Sequence, residues 1–215
     1  MSITLYYGSG SPYAWRVHLA LEAKGLTYER KVLSFSAGDT RKPEFVALNP
    51  RHRVPTIVDG DFVLYESNAI VEYLDEAYRG KGATLFPGDA RQRATVRRIV
   101  SEVDGYTDKA VDEVVERLIG VKPEERDAAK IEEARAAMAT EFAAMAGYLD
   151  GDFLAGPLSA ADFALYPAVG FMLRCRQRVP TFDAEALFPP RLAAWRKRVE
   201  ALPYFDATWP PHWRA

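Results

Sequence analysis

The dipeptide Val54-Pro55, followed at Glu66-Ser67 by the head of an apolar, helix-patterned run, constrains this chain more than any other stretch. An X-Pro bond adopts the cis form at modest cost, and a cis peptide before a strand turns the preceding N–H and C=O outward, where an extended peptide can pair with them. Ser67 reads as an N-cap whose helix start offers unpaired N–H groups and the positive end of a dipole. Glu66 beside it can hold an ammonium group, so one end of the ligand is a zwitterion. Ser11-Pro12, directly after the strand-like run Ile3 to Tyr7, puts a hydroxyl at the start of another helix, with Pro12 at its first position. That hydroxyl can face a thiolate.

Turn and period signals order the elements around these motifs. Ile3 to Tyr7 suits a strand, Gly8 to Ser11 a loop, and Pro12 to Lys24 carries Trp15, Leu19 and Ala23 on one helical face before Gly25 ends it. Thr27 to Leu33 alternates as a strand does, and Pro43 to Leu48 makes a short helix stopped by Asn49-Pro50. Thr56-Ile57-Val58 and Phe62-Val63-Leu64 flank Asp59-Gly60-Asp61, a hairpin signal, after which Ala69, Ile70, Tyr73 and Leu74 repeat at helical spacing up to Gly80. The order is βαβ followed by ββα. Beyond a glycine- and charge-rich stretch the pattern becomes helical: Ala90 to Ile119, Pro123 to Leu149, Ala160 to Arg174 and Pro189 to Leu202.

Three runs in this order, Ser11-Pro12-Tyr13-Ala14-Trp15-Arg16-Val17, Asn49-Pro50-Arg51-His52-Arg53-Val54-Pro55-Thr56 and Glu66-Ser67-Asn68-Ala69-Ile70-Val71-Glu72-Tyr73-Leu74, resemble the thioredoxin-like half of cytosolic glutathione transferases. Ser159-Ala160-Ala161-Asp162 adds a capping box variant similar to the one in that family's helical half, so the resemblance covers nearly the whole chain. It implies an α/β thioredoxin-like domain over 1–80, a linker at 81–88 and an all-α bundle over 89–215 that contributes the electrophile site. Glutathione would be a co-substrate held by Ser11, Arg53, Val54, Pro55, Glu66 and Ser67, with Arg41, Lys42 and His52 as alternatives to Arg53 for its glycine carboxylate. Tyr13, Val103, Tyr106, Phe171 and Trp209 are candidates for the hydrophobic site, although an aromatic at helical spacing is more often ordinary core. The family's two-fold dimers imply a homodimer, with Asp104 near the partner's glutathione.

The chemistry to be explained is activation of a thiol. An unperturbed thiol has a pKa of about 8.5, so roughly 3% is thiolate at neutral pH, and the thiolate is the nucleophile. Lowering the pKa by about two units asks for roughly 2.7 kcal/mol of preferential stabilisation of the anion. A helix N-terminus and one hydrogen bond to a charged acceptor together reach that size. Serine-type relatives of the tau and zeta classes, with similar Ser-Pro-aromatic and Ser-x-x-x-Trp-Arg-Val runs, use the matching serine for it, which places Ser11 in the role. Ser9, Tyr6 and Tyr7 are competing donors. Omega-type relatives have a cysteine at this position, so Ser11 favours conjugation over thiol–disulfide exchange. Tyr13 stands where the zeta motif has a cysteine and counts against zeta-type isomerisation. Other glutathione-dependent reactions (isomerisation, reductive dehalogenation, peroxidase chemistry) and a non-catalytic ligand carrier of the same fold are the alternatives to conjugation.

Composition narrows the remaining classes. A net charge of −2 from 28 basic and 30 acidic residues gives no field for nucleic acid or an anionic membrane. With 48% hydrophobic residues in 215 there is enough apolar surface for a sizeable core in two domains. The start of the chain has no signal-peptide pattern, no apolar run has transmembrane length, and a lone cysteine suits a reducing, cytoplasmic setting. Cys175 reads as a small buried hydrophobe. His18, His52 and His212 lack metal-ligand spacing, and no metal is expected. Arg91, Arg93, Arg97 and Arg98, near Glu102, Asp104 and Asp108, read as a solvated or subunit-facing surface.

Overall fold

A computed structural model describes residues 3–214, and the chain divides into two compact units, Pro87–Leu202 and a first unit that takes the residues through Phe86 together with those from Pro203 onward. The carboxy-terminal segment therefore packs with the first unit, although its position in the sequence groups it with the helices.

In the first unit β1 (Ile3–Tyr7), α1 (Pro12–Ala23) and β2 (Tyr28–Val32) form a parallel crossover unit, and β3 (Thr56–Asp59) and β4 (Phe62–Tyr65) form the expected hairpin. Gly60, at φ 65°, takes the left-handed turn conformation for which a residue without Cβ is suited. The sheet order is β2-β1-β3-β4, with β1 antiparallel to β3. Leu5, Ile57, Ile70 and Leu74 are fully buried between the sheet and α1 and α3 (Ser67–Ala77), each burial removing about 1.5–3 kcal/mol of exposure cost. Between β2 and β3 lies α2 (Pro43–Val46), shorter than the apolar pattern implied. Asn49 ends this region and is 2% exposed: its amide donates to the Arg53 carbonyl at 2.8 Å and to Thr56 Oγ1 at 3.0 Å, and its Oδ1 accepts from Arg51 N–H at 2.9 Å.

The second unit is helical. The predicted helix from Ala90 is a run of α4 (Ala90–Glu102) and α5 (Asp108–Val115) separated by a widened turn at Val103–Thr107 and followed by another at Glu116–Gly120. The helix expected from Pro123 begins instead at Ala128, because the Asp127 carboxylate accepts from the Ala129 and Lys130 N–H groups at 3.0 and 3.2 Å and fixes the cap there. That helix, α6 (Ala128–Gly147), is followed by an unforeseen hairpin of β5 (Leu149–Asp150) and β6 (Phe153–Leu154), then α7 (Ala160–Arg178) and α8 (Pro190–Glu200). Asp162 ties these together. Its carboxylate accepts from Leu154 N–H (2.9 Å), Ser159 N–H (2.9 Å), Ser159 Oγ–H (3.3 Å) and Trp195 Nε1–H (2.8 Å). Burial pushes its pKa up to about 6 against the lowering effect of those bonds. Cys175 is fully buried and its thiol is pushed up to about 12 by burial, which removes it as a nucleophile. Among the described residues, no helix is long and apolar enough to cross a membrane and no group of three His, Cys, Asp or Glu side chains is placed to hold a metal.

Candidate active site

Strand register brings the three sequence motifs to one end of the sheet. Tyr6 pairs with Thr56, and Thr56 pairs with Tyr65. Continuing that register one step beyond the ladder sets the loop after β1, the Val54-Pro55 bond before β3 and Glu66 after β4 side by side. Ser11 caps α1 there: its Oγ accepts from Ala14 N–H at 3.3 Å, and it is half-buried. An oxygen that accepts keeps its own proton for another partner.

The Val54–Pro55 peptide is cis. Pro55 is buried, Val54 half-buried and Arg53 exposed. Glu66 is exposed and sits at φ 71°, ψ 111°. This is an uncommon conformation for a residue with a Cβ; it costs of order 1–3 kcal/mol and concentrates at ligand clamps. The cap assignment shifts by one residue here: Glu66 precedes the helix and makes no side-chain cap, while Ser67 is the first helical residue and is 7% exposed. The consequence for binding is small, since the amides of that first turn still lack intrahelical acceptors. Arg16 on α1 is 2% exposed and donates to Asn68 Oδ1 at 2.7 Å, which joins the first motif to the third.

Among the alternative thiol donors, Tyr6 accepts from Lys31 Nζ at 3.4 Å and its ring lies 6.0 Å from that of Phe45, turned from the Ser11 loop. Tyr7 is 8% exposed, and its ring lies tilted against that of His18 with centroids 4.5 Å apart. Burial, with the Arg30 charge adding to it, pushes the His18 pKa down to about 4, so this imidazole is neutral at physiological pH. Ser9 Oγ lies 2.7 Å from His212 Nδ1. Of the basic candidates, Lys42 Nζ is paired with Asp39 at 2.7 Å and His52 Nδ1 meets the Thr40 carbonyl at 3.2 Å; Arg41 and Arg53 are exposed.

The hydrophobic candidates divide. Tyr13 is 38% and Tyr106 62% exposed, and Phe171 is half-buried. Val103 is withdrawn: at 0% exposure in the widened turn it is core, because helical spacing marks an apolar face without saying that the face is covered. Trp209 is half-buried in an aromatic cluster, 5.2 Å from the Trp15 ring and 6.0 Å from that of Trp213. The arginine-rich surface of α4 keeps its simplest form at Arg98, which pairs with Glu102 one turn on and lies 4.5 Å over the Tyr148 ring.

Comparison with known proteins agrees with this geometry. The chain is 32% identical to glutathione S-transferase A of Pleuronectes platessa over 216 residues, covering 98% of this chain and 92% of that one. It is similar to the structure of a glutathione S-transferase from the Antarctic clam Laternula elliptica (TM-score 0.85, 31% identity, 100% of this chain and 94% of that one). It is also similar to a delta-class glutathione transferase of Nilaparvata lugens (TM-score 0.81, 29% identity, 96% and 92% covered). Residues 10–77 match the family model described as glutathione S-transferase, N-terminal domain, and residues 127–198 match its C-terminal counterpart. On these matches over both units, the chain belongs to the glutathione S-transferase family.

Proposed function

We propose that this chain is a serine-type glutathione transferase that adds the glutathione thiolate to an apolar electrophile, with Ser11 as the residue that stabilises the anion. The observation that carries the reading is the convergence, at one end of a four-stranded sheet, of a hydroxyl at a helix start, a cis Val54–Pro55 bond and the exposed, left-handed Glu66 before buried Ser67. Each matches a part of the tripeptide. The Val54 main chain pairs with its middle residue as an added strand does. Glu66 takes the ammonium group of the γ-glutamyl end, and Ser67 with the amides of the first turn of α3 takes the carboxylate beside it. Arg53 takes the glycine carboxylate, since Lys42 and His52 already have protein partners. Tyr13, Tyr106, Phe171 and Trp209 remain the apolar residues proposed for the electrophile.

Two expected results follow. Adding glutathione to the purified protein should raise an ultraviolet thiolate band at neutral pH, titrating about two units below free glutathione, and a panel of electrophiles should be consumed only with glutathione present. A band that titrates like the free thiol would overturn the assignment of thiol activation. We further propose a two-fold homodimer in which the basic start and acidic middle of the α4–α5 run meet their own copy. Light scattering at low micromolar concentration should give close to twice the 24.1 kDa chain mass. A fully active species of single mass would mean that one chain completes the site.

A further inference from the structure

The segment from Pro203 onward docks against the thiol-site loop. Trp213, 5% exposed, stacks edge-on against Trp15 at 5.6 Å, and Trp15 Nε1–H donates to Thr208 Oγ1 at 3.0 Å. Arg30 on β2 donates to the Ala207 carbonyl at 3.3 Å. The contact reaches the loop itself at Ser9, whose Oγ is 2.7 Å from His212 Nδ1, and at Gly10. Gly10 has φ 82°, and a Cβ there would lie 3.0 Å from His212 Cε1 and 3.2 Å from Trp213 Nε1. A Cβ at Gly10 would thus press on the His212 and Trp213 rings, and beside this contact lies a partly open cavity of about 20 Å³ bordered by Ser9, Ser11, His18 and Trp209.

We propose that His212 is a positioning residue for thiol activation: it engages the Ser9 hydroxyl, fixes the Ser9-Gly10-Ser11 loop, and leaves Ser11 as the hydroxyl that faces the sulfur. This rests on Ser11 being the thiolate donor. A serine has one proton, and when neutral His212 accepts it at Nδ1 it is no longer offered to an anion. Ser11 Oγ accepts from Ala14 N–H, which holds the oxygen in place while leaving its proton for the site. In the imidazolium form Nδ1–H donates to Ser9 Oγ instead, and the Ser9 proton turns to another acceptor. His212 is the exposed imidazole that can make this change; the charged or titratable groups lining the cavity are Tyr7, His18 and Arg30, and those on the segment are Tyr204, Asp206 and Arg214.

The test compares His212→Phe, His212→Asn and His212→Gln by titrating the thiolate of bound glutathione and by steady-state kinetics. Asparagine keeps a polar atom where Nδ1 lies, glutamine keeps one where Nε2 lies, and phenylalanine keeps only the ring. The phenylalanine and glutamine variants are expected to raise the bound thiol pKa by about one unit, with kcat falling roughly tenfold below that pKa and KM for the electrophile unchanged. The asparagine variant should return to within about twofold of the parent. Ser9→Ala should match the phenylalanine variant, and the double variant should be no worse than either single one, as expected of one shared interaction. A thiol pKa unmoved in His212→Phe, rescue by glutamine rather than asparagine, or additive losses in the double variant would each overturn the proposal. Those failures would coexist with a normal thiolate in the parent protein, whereas a parent without a low-pKa thiolate would instead remove the catalytic reading on which the proposal rests.

Discussion

Ser11→Ala is expected to raise the pKa of the bound glutathione thiol by about one to two units and to lower turnover at neutral pH roughly ten- to hundredfold, the equivalent of about 1.5–3 kcal/mol for a hydrogen bond to a charged acceptor. The sign follows from which state the hydroxyl stabilises. A donated bond favours the anion and holds the pKa low, so its loss moves the titration upward and leaves less thiolate at any pH below it. Alanine also removes the cap that accepts from Ala14 N–H, at a cost of about 1 kcal/mol in stability. Thermal melts separate that effect from the chemical one. Ser11→Thr keeps both hydroxyl functions and should retain most of the low pKa. An unmoved thiol pKa in the alanine variant would transfer the role to Ser9 or Tyr7, since Thr208, the other hydroxyl bordering the cavity, already donates to the Phe205 carbonyl.

The largest expected loss of stability lies in the helical unit. Asp162→Ala should cost about 3–5 kcal/mol, because it leaves the N–H groups of Leu154, Ser159 and Trp195 buried without their acceptor. Against a total stability of about 5–15 kcal/mol this is enough to deplete the folded protein at 37 °C. Asp162→Asn separates shape from charge. Its amide nitrogen is a donor, so whichever way it turns it meets donors on one side, and it should recover only part of the loss. The pH dependence carries a second signature. The folded carboxyl titrates near 6, above its ordinary 3.8. The native state therefore holds the proton more tightly than the unfolded one, and this contribution is fully present below about 3.8 and lost as pH rises through about 6. Denaturant midpoints measured across that window should lose this component in Asp162→Asn. A parent-like pH slope in that variant, or a loss below about 1 kcal/mol in Asp162→Ala, would refute the account.

What could be read from the residues was local or ordered along the chain. The bounds of β1, the crossover helix opened by Pro12, and the hairpin at Asp59-Gly60 each rest on neighbours within a few positions. The convergence of the three motifs follows from strand order once the hairpin is placed. Contacts between distant positions left no such trace. The bonds from Arg16 to Asn68 and between Ser9 and His212 join residues with no shared period. The Val103 assignment failed for a related reason: a residue on an apolar face is as well suited to core as to lining, and the neighbours that decide it come from other helices. One signal was available. Trp209-Pro210-Pro211-His212-Trp213 is too rich in large aromatic surface to remain in water, so this segment had to dock.

Because the first unit draws on residues from Pro203 onward, it cannot be finished when its motifs have been synthesised. The indole of Trp15 finds its hydrogen-bond acceptor in Thr208, 193 positions later. A nascent chain emerging from the ribosome therefore carries the Ser11, Pro55 and Glu66 motifs through the making of every helix of the second unit while the backing of the thiol loop is still untranslated. A nonsense codon just after Leu202 would spare all the residues by which such a gene is recognised and yet remove Thr208, His212 and Trp213. Gene surveys that score only those motifs would count such a truncated allele as intact.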